Sequence, residues 1–339
     1  MFSTSTTTTS STTPLYRSCV ADILANETFL CDAGLETALV YGDKIALPCF
    51  ASFTMLKTEA GAKRVESFYR DFCVVAKAHG RNMYLDTVTW RASKDWGDKL
   101  GYSAKDLDDV ARASVDMIVR LRDEYASDDT KMITSGAMGP RGDGYVVGAT
   151  MTQEEAKEYH MQQVRTLAST ALDLITVYTM TYAEEAAGLA LAAAEVNMPI
   201  VISFTVETDG KLPSGATLRE AIEAVDAACD SLGPGKRPIG YGINCAHPVH
   251  FATTLEAAAE AGEPWLHRLH ALRANASKKS HAELEKCTTL DCGDDVDLAT
   301  RYKALLPKLP GHFSVLGGCC GTNAQLAKAI AEVCLACEP

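Results

Sequence analysis

Short apolar runs rich in β-branched and aromatic residues alternate along the chain with longer stretches whose apolar residues recur at helical spacing. The short runs predict eight strands, at 28–32, 83–89, 131–136, 173–179, 199–205, 239–245, 269–274 and 313–317. The longer stretches predict helices at 59–79, 103–126, 152–171, 181–196, 217–231, 247–262 and 323–337. Ser103 and Thr152 each precede acidic residues in the way that helix N-caps do.

Regular alternation of strand and helix predicts parallel strands joined by right-handed crossovers. Such a chain forms either a doubly wound open sheet or a closed (β/α)8 TIM barrel. Eight strands, with no glycine-rich dinucleotide loop after the first of them, favour the α/β barrel. We predict a single barrel domain at 21–339, preceded at 1–20 by a disordered Ser/Thr-rich tail that can bury little. The polar stretch 275–297 is expected to be an inserted loop or the start of a helix.

Charge and composition narrow the classes of function. The 339 residues carry 32 Lys+Arg against 44 Asp+Glu, a net charge of −12, and no basic stripe that would suit nucleic acid. No run approaches the ~18 apolar residues of a membrane span. No secretory signal opens the chain, so we predict a cytoplasmic protein whose 12 cysteines are reduced. Organelle targeting by the Ser/Thr-rich start stays open, and the sequence predicts no oligomeric state.

Two adjacent cysteines, Cys319 and Cys320, lie within the motif LGGCCGT, directly after the last strand. Adjacent side chains on a regular strand point to opposite faces, but the three glycines of the motif allow a turn that brings both sulfurs together. Zinc favours thiolate ligands, and a catalytic zinc site leaves one position open. The third thiol is expected from another strand end, where Cys245 lies in GINCAHP.

Other interpretations of these cysteines stay open. Cys319 and Cys320 could form a strained disulfide with each other, or Cys320 could act as a nucleophile without a metal. A non-catalytic barrel would instead hold zinc in a closed site with four protein ligands, completed by His247 or Cys292. We favour a helix-capping role for His247. Cys287 and Cys292 form an incidental pair, because nothing supplies two further ligands beside them.

GINCAHP, VLGGCCGT and the Asp-Ala-Gly turn that begins at Asp32 together resemble the homocysteine S-methyltransferase family, from about residue 28 to 337. The resemblance implies that Cys245, Cys319 and Cys320 are zinc ligands and that Asp32 helps hold the amino group of the bound amino acid. It implies transfer of a methyl group to the thiol of homocysteine, giving methionine. Because the chain is expected to hold only the barrel, we expect a small sulfonium donor, S-methylmethionine or S-adenosylmethionine.

The chain departs from this family at the fourth strand, where many members carry Glu-Thr and this sequence has Tyr178 at the Glu position. Tyrosine accepts a hydrogen bond from an ammonium group but carries no charge at pH 7. Either Glu207, after the fifth strand, replaces that glutamate, or the acceptor is another small thiol or selenol. After the second strand, Trp90 could hold a sulfonium by cation–π attraction and Arg91 a carboxylate, although rim packing and a surface salt bridge account for them equally well.

Overall fold

Eight parallel strands close into a barrel in the computed structural model, which describes residues 13–335. Neighbouring strands pair in chain order, and β1 also pairs with β8, which closes the sheet. The strands are β1 Phe29–Cys31, β2 Asn82–Asp86, β3 Met132–Met138, β4 Leu174–Met180, β5 Ile200–Phe204, β6 Gly240–Asn244, β7 Leu269–Ala274 and β8 Val315–Gly318. Each overlaps its predicted run, so the predicted (β/α)8 barrel is confirmed.

Helices cover the outside of the barrel and connect successive strands. They are α1 Val20–Asn26, α2 Leu35–Thr37, α3 Glu59–Ala78, α4 Lys94–Leu100, α5 Ala104–Tyr125, α6 Gln153–Ala168, α7 Ala183–Glu195, α8 Leu218–Asp230, α9 Pro248–Glu260, α10 His281–Leu284, α11 Asp295–Leu305 and α12 Ala324–Ala329. Single turns of 3-10 or π helix occur at Ala38–Gly42, Pro48–Phe50, Ser52–Lys57, Pro264–Arg268, Leu306–Lys308 and Ile330–Cys334. Ser103 and Thr152 form the predicted capping boxes.

Most helices follow the prediction closely, and the differences are local. The predicted helix 323–337 is α12 followed by one π turn. The stretch 275–297 contains the short α10, an irregular loop and the first turn of α11. One part of it is thus an inserted loop and another the start of a helix, the two possibilities that the sequence left open. Within residues 13–335, no helix combines the length and apolar character that a membrane crossing requires.

Two apolar clusters fill the fold. The larger one lies between the outer face of the strands and the helices. The smaller one lies inside the barrel, where Phe29, Tyr84 and Leu174 pack with Val20 and Leu24 of α1. Because these strand residues lie in the first half of their strands, α1 closes the N-terminal end of the barrel. A cavity opens at the C-terminal end, where TIM-barrel sites are formed.

The segment before α1 is fastened to the barrel. The Tyr16 N–H donates to Asp173 Oδ1 at 2.6 Å, and the Arg17 guanidinium donates to the carbonyls of Ala168, Thr170 and Leu172. The predicted tail therefore does not extend to residue 20. Composition gave no sign of this, since the contacts depend on backbone carbonyls more than 150 residues further along the chain. Residues 1–12, the rest of the predicted tail, lie outside the described residues.

Candidate functional site

Three cysteine sulfurs meet at the C-terminal ends of β6 and β8. The Sγ atoms of Cys245, Cys319 and Cys320 all lie within 4.8 Å of one another, as the sequence predicted. In the part of the chain that the structure describes, no other three His, Cys, Asp or Glu side chains bring ligand atoms so close together. The Cα atoms of Cys245 and Cys319 are 5.5 Å apart, and Cys320 is a free thiol beside them.

One interpretation that the sequence left open is wrong. Cys319 and Cys320 are not joined by a disulfide, because Cys320 is a free thiol. The three sulfurs instead lie around a common point, as ligands of one ion would.

Backbone pairing along β7 positions both cysteine loops. The Cys245 N–H donates to the carbonyl of Arg273 at 3.0 Å, and the Cys319 N–H donates to the carbonyl of Ala274 at 2.8 Å. Cys245 itself has φ of +56°, a left-handed conformation that turns the chain sharply at the end of β6. Of the three glycines that were expected to provide the turn at β8, only Gly321 has a positive φ, +80°.

The turn after β1 packs directly against the second cysteine loop. The Gly34 N–H donates to the carbonyl of Cys319 at 3.0 Å. A Cβ atom at Gly34 would lie 2.7 Å from that carbonyl oxygen and 2.9 Å from Cys320 Cα, so no larger residue fits there. The Asp-Ala-Gly motif and the cysteine motif therefore form one structure, at the seam where β1 meets β8.

His281 contacts the backbone of Cys245 and holds it in place. Its Nε2 lies 2.6 Å from the carbonyl oxygen of Cys245, and its Nδ1 lies 2.9 Å from Glu207 Oε1. The ring therefore links the backbone of Cys245 to the carboxylate of Glu207. The Tyr145 ring stacks on His281 with centroids 4.2 Å apart.

The same Tyr145 reaches the free thiol. Its hydroxyl lies 3.7 Å from Cys320 Sγ. Burial raises the pKa of the Cys320 thiol to about 11, although the contact with Tyr145 acts in the opposite direction. Without a cation beside it this thiol therefore keeps its proton, so metal binding at this position would release one.

Glu207 does not lie where the sequence placed it. We expected it to hold a substrate amino group, but it is not among the described residues that line the cavity, and its carboxylate is bonded to His281. The sequence analysis overlooked His281, which stands 74 residues further along the chain. The motif Ser280-His281 opens a capped helix in the polar stretch after β7, and that is the signal that could have drawn attention to it.

A cavity of about 340 Å³ opens above the three sulfurs. The predicted site residues other than Glu207 line it, namely Asp32, Trp90, Arg91, Tyr178, Cys245, Cys319 and Cys320. The stretch after β7 forms part of its wall through Leu284, Cys287 and Leu290. The volume suits two small organic molecules, and the walls are mainly apolar with a few charged groups, as in most ligand sites.

The floor of the cavity is a buried charge network centred on Arg273 of β7, which the sequence analysis also overlooked. Its guanidinium pairs with Asp32 and, at 2.6 Å, with Asp86. The Tyr178 hydroxyl donates to Asp86 at 2.6 Å, and the Tyr178 ring lies 4.6 Å from Arg273 Cζ. Burial raises the pKa of Asp32 to about 7 and also raises that of Asp86.

This network changes the roles that can be assigned to Asp32 and Tyr178. Asp32 lies at the cavity as predicted, but its carboxylate is already bonded to Arg273. Tyr178 was considered as an acceptor for an ammonium group, whereas its hydroxyl donates to Asp86. The polar atoms that the predicted roles require are therefore engaged within the protein.

Trp90 and Arg91 are packed against each other. The Arg91 guanidinium carbon lies 4.1 Å from the Trp90 ring centre and 4.0 Å from that of Trp96. Arg91 is 6% exposed, pairs through Nη2 with the half-exposed Asp143 at 3.9 Å and donates from Nη1 to the carbonyl of Gly142 at 2.7 Å, so the salt bridge considered from the sequence is present. Its Nε has no hydrogen-bond partner among the described residues. The Trp90 N–H donates to Thr179 Oγ1 at 3.0 Å. One face of Trp90 is thus covered, while Arg91 offers an unpaired donor beside the cavity.

The family model described as homocysteine S-methyltransferase matches residues 29–334. The chain belongs to the homocysteine S-methyltransferase family. It is 23% identical over 323 residues to homocysteine S-methyltransferase 1 of Arabidopsis thaliana, a match that covers 89% of this chain and 91% of the relative. It is also 24% identical over 271 residues to selenocysteine Se-methyltransferase of Brassica oleracea var. italica, covering 73% of each chain.

Among solved structures, the metallated form of the homocysteine methyltransferase MmuM from Escherichia coli superposes with a TM-score of 0.68 at 18% identity, covering 92% of this chain and 98% of that one. The oxidised form of the same enzyme gives a TM-score of 0.67 at 19% identity, covering 90% and 95%. These similarities confirm the barrel fold. As a member of the homocysteine S-methyltransferase family, the protein is a methyltransferase that acts on small molecules, with homocysteine as the acceptor that characterises the family.

Proposed function

We propose that this protein is a zinc-dependent methyltransferase that moves a methyl group from a sulfonium donor to the thiol of homocysteine and forms methionine. The observation that carries the proposal is the convergence of the Cys245, Cys319 and Cys320 sulfurs within 4.8 Å at the cavity. The E. coli relative in the structural comparison is described in a metallated form, which supports a metal at the corresponding end of the barrel.

The donor set fits zinc. Reduced Cys245, Cys319 and Cys320 would hold the ion through three thiolates, and a three-ligand site leaves a fourth position for the acceptor. When bound, the ion would supply a lowered pKa for the acceptor thiol, so that homocysteine is held as the nucleophilic thiolate. No Lys or Arg side chain pairs with the cluster in the described residues, so the charge of the thiolates is left for a metal ion to balance.

The remaining residues of the cavity bind and orient the two reactants. The buried Arg273 network fixes the floor and α1 closes the barrel beneath it, so water is excluded from below. Arg91, with its unpaired Nε, is placed to receive a donor carboxylate. Trp90 would act mainly by holding Arg91 in place. The volume of about 340 Å³ favours S-methylmethionine over the bulkier S-adenosylmethionine.

Turnover and metal content test the proposal together. The protein is kept reduced, because oxidation of the three cysteines would remove the thiolates that are to hold the metal. It is then loaded with zinc and incubated with homocysteine and either S-methylmethionine, S-adenosylmethionine or betaine. We expect about one zinc per chain and methionine from a sulfonium donor. If no donor yields methionine at full zinc occupancy, the proposal is wrong.

A selenol is the second candidate acceptor. One relative is named selenocysteine Se-methyltransferase, and Tyr178 stands where many family members carry glutamate. Comparing kcat/KM for homocysteine and selenocysteine under reducing conditions decides between the two. With homocysteine as acceptor the reaction belongs to methionine biosynthesis, and we place it in the cytoplasm, because free thiolate ligands need a reducing compartment.

Substituting Glu207→Gln is expected to weaken zinc binding by about 10- to 100-fold, the range typical of groups that orient a metal ligand. The substitution removes the carboxylate that orients His281 through Nδ1, and with it part of the support for the carbonyl of Cys245. Competition with a chromophoric chelator measures the change. Glu256→Gln, at an exposed ion pair with Lys308, is the matched control and should bind zinc normally. Equal affinities of the two variants would contradict the prediction.

A further inference from the structure

Glu36 is a carboxylate at the cavity that is not paired with a cation. It lies in α2, directly after β1, and lines the cavity. Its Oε1 accepts a hydrogen bond from Ser52 Oγ at 2.6 Å, and no Lys, Arg or His among residues 13–335 forms an ion pair with it. Burial raises its pKa. A buried carboxylate that lacks a paired cation gains the most electrostatic stabilisation when a positive charge binds beside it.

The other two carboxylates of the cavity floor are in the opposite condition. Asp32 and Asp86 share the guanidinium of Arg273, which is 8% exposed. Each gives one oxygen to that guanidinium, and the second oxygen of Asp86 has no hydrogen-bond partner among the described residues. Because Arg273 already balances part of their charge, whereas no described cation forms an ion pair with Glu36, an incoming ammonium gains more at Glu36.

The position of Glu36 suits a small amino thiol. The turn that carries it is bonded to the cysteine loop on both sides, through the Gly34 N–H to the Cys319 carbonyl and through the Gly321 N–H to Thr37 Oγ1 at 3.2 Å. Glu36 and Cys320 also line the same cavity. A molecule whose sulfur lies at the cysteine cluster would thus carry its amino group toward this carboxylate.

We propose that Glu36 receives the ammonium group of the acceptor amino acid and so replaces the glutamate for which this chain has Tyr178. The inference rests on the proposed function and deepens it, because it assigns the residue that selects an acceptor with an α-amino group. Arg273 then serves to hold Asp32 and Asp86 in the floor, and the Asp32 contact with the amino group expected from the sequence is not needed.

The first test compares homocysteine with 4-mercaptobutanoate, the same thiol acid without the amino group. Glu36→Gln keeps the size of the side chain and an oxygen that can accept from Ser52. Loss of one charged hydrogen bond predicts a fall in kcat/KM for homocysteine of about 10- to 150-fold. The fall should appear mainly in KM, because the ammonium group lies away from the reacting sulfur. The value for 4-mercaptobutanoate should change by less than about threefold.

The second test needs neither metal nor turnover. Calorimetry on the reduced, metal-free protein measures binding of methionine and of 4-(methylthio)butanoate, which lacks the amino group. Glu36→Gln should weaken binding of methionine alone. Glu256→Gln, at the exposed ion pair with Lys308 and outside the cavity lining, is the matched control, with no change expected for either ligand.

The outcomes separate this inference from the function on which it rests. Equal losses for both ligands would mean that Glu36 acts only on the structure of the site, and no loss for either would mean that it does not contact the acceptor. Both results overturn the inference. Absence of methionine formation by the unmodified, zinc-loaded protein would instead overturn the proposed function.

Discussion

Cys320→Ser is expected to abolish stoichiometric zinc binding and to lower the rate of methyl transfer by at least about 1,000-fold, equivalent to about 4 kcal/mol. Serine is a poor ligand for zinc, and two remaining thiolates do not make a tight site. Cys320 is the cysteine of choice for this test because Cys245 has a positive φ at the sharp turn after β6, where a substitution would also act on the backbone. Metal analysis after dialysis and a methionine assay provide the two measurements.

The control for this variant is Cys287→Ser. Cys287 also lines the cavity but lies outside the three-sulfur cluster. Its replacement should leave zinc content unchanged and activity within about twofold, as for most substitutions that disturb no buried group. Full zinc content and normal turnover in Cys320→Ser would contradict a centre built from three thiolates.

Arg273→Met is expected to destabilise the fold by about 3–5 kcal/mol at pH 8, the cost of removing one partner from a buried ion pair. The substitution keeps most of the side-chain volume but leaves Asp32 and Asp86 without their cation inside the barrel. Urea unfolding monitored by circular dichroism measures the loss. Catalysis should fall as well, since the same carboxylates line the cavity.

The pH dependence of that loss identifies its cause. Burial already raises the pKa of Asp32 to about 7, and without the guanidinium both carboxylates would titrate higher still. Between about pH 4 and the raised pKa the folded variant binds more protons than the unfolded chain, so its stability decreases as pH rises. The destabilisation by Arg273→Met should therefore be smaller at pH 5.5 than at pH 8.

Arg268→Met provides the comparison for the same strand. Arg268 precedes β7 and pairs with Asp226, at the end of the barrel away from the cavity, and its side chain is 26% exposed. We expect a smaller loss of stability and normal methyl transfer. If Arg273→Met cost no more than this variant, or cost the same at both pH values, the buried network would not have the role assigned to it.

The periodic pattern of the sequence was sufficient to predict the barrel, because strands that are buried on both faces appear in the sequence as continuous apolar runs. The cysteine cluster was also predictable. Once the strand count implied a closed barrel, Cys245 and the adjacent pair Cys319 and Cys320 had to lie at the same edge. The residue types and the predicted strand order therefore indicated the same site.

The groups that complete the site could not be predicted in the same way. Arg273 appears in the sequence as an ordinary charged residue, and its function depends on partners in β1 and β2. His281 lies in a polar segment, and no local hydrophobic periodicity predicts the course of that segment over the cavity. The sequence analysis selected Glu207 for its charge, but only the fold shows that its carboxylate contacts His281. Long-range pairing of polar groups has no signature in a single sequence.

The seam between the first and last strands has a consequence for biosynthesis. Gly34 after β1 packs on the loop after β8 that carries two of the three thiols. Of the three clustered cysteines, a chain still emerging from the ribosome carries only Cys245 until the loop after β8 is made. The three-sulfur cluster therefore forms only after the last strand has been synthesised and has paired with the first.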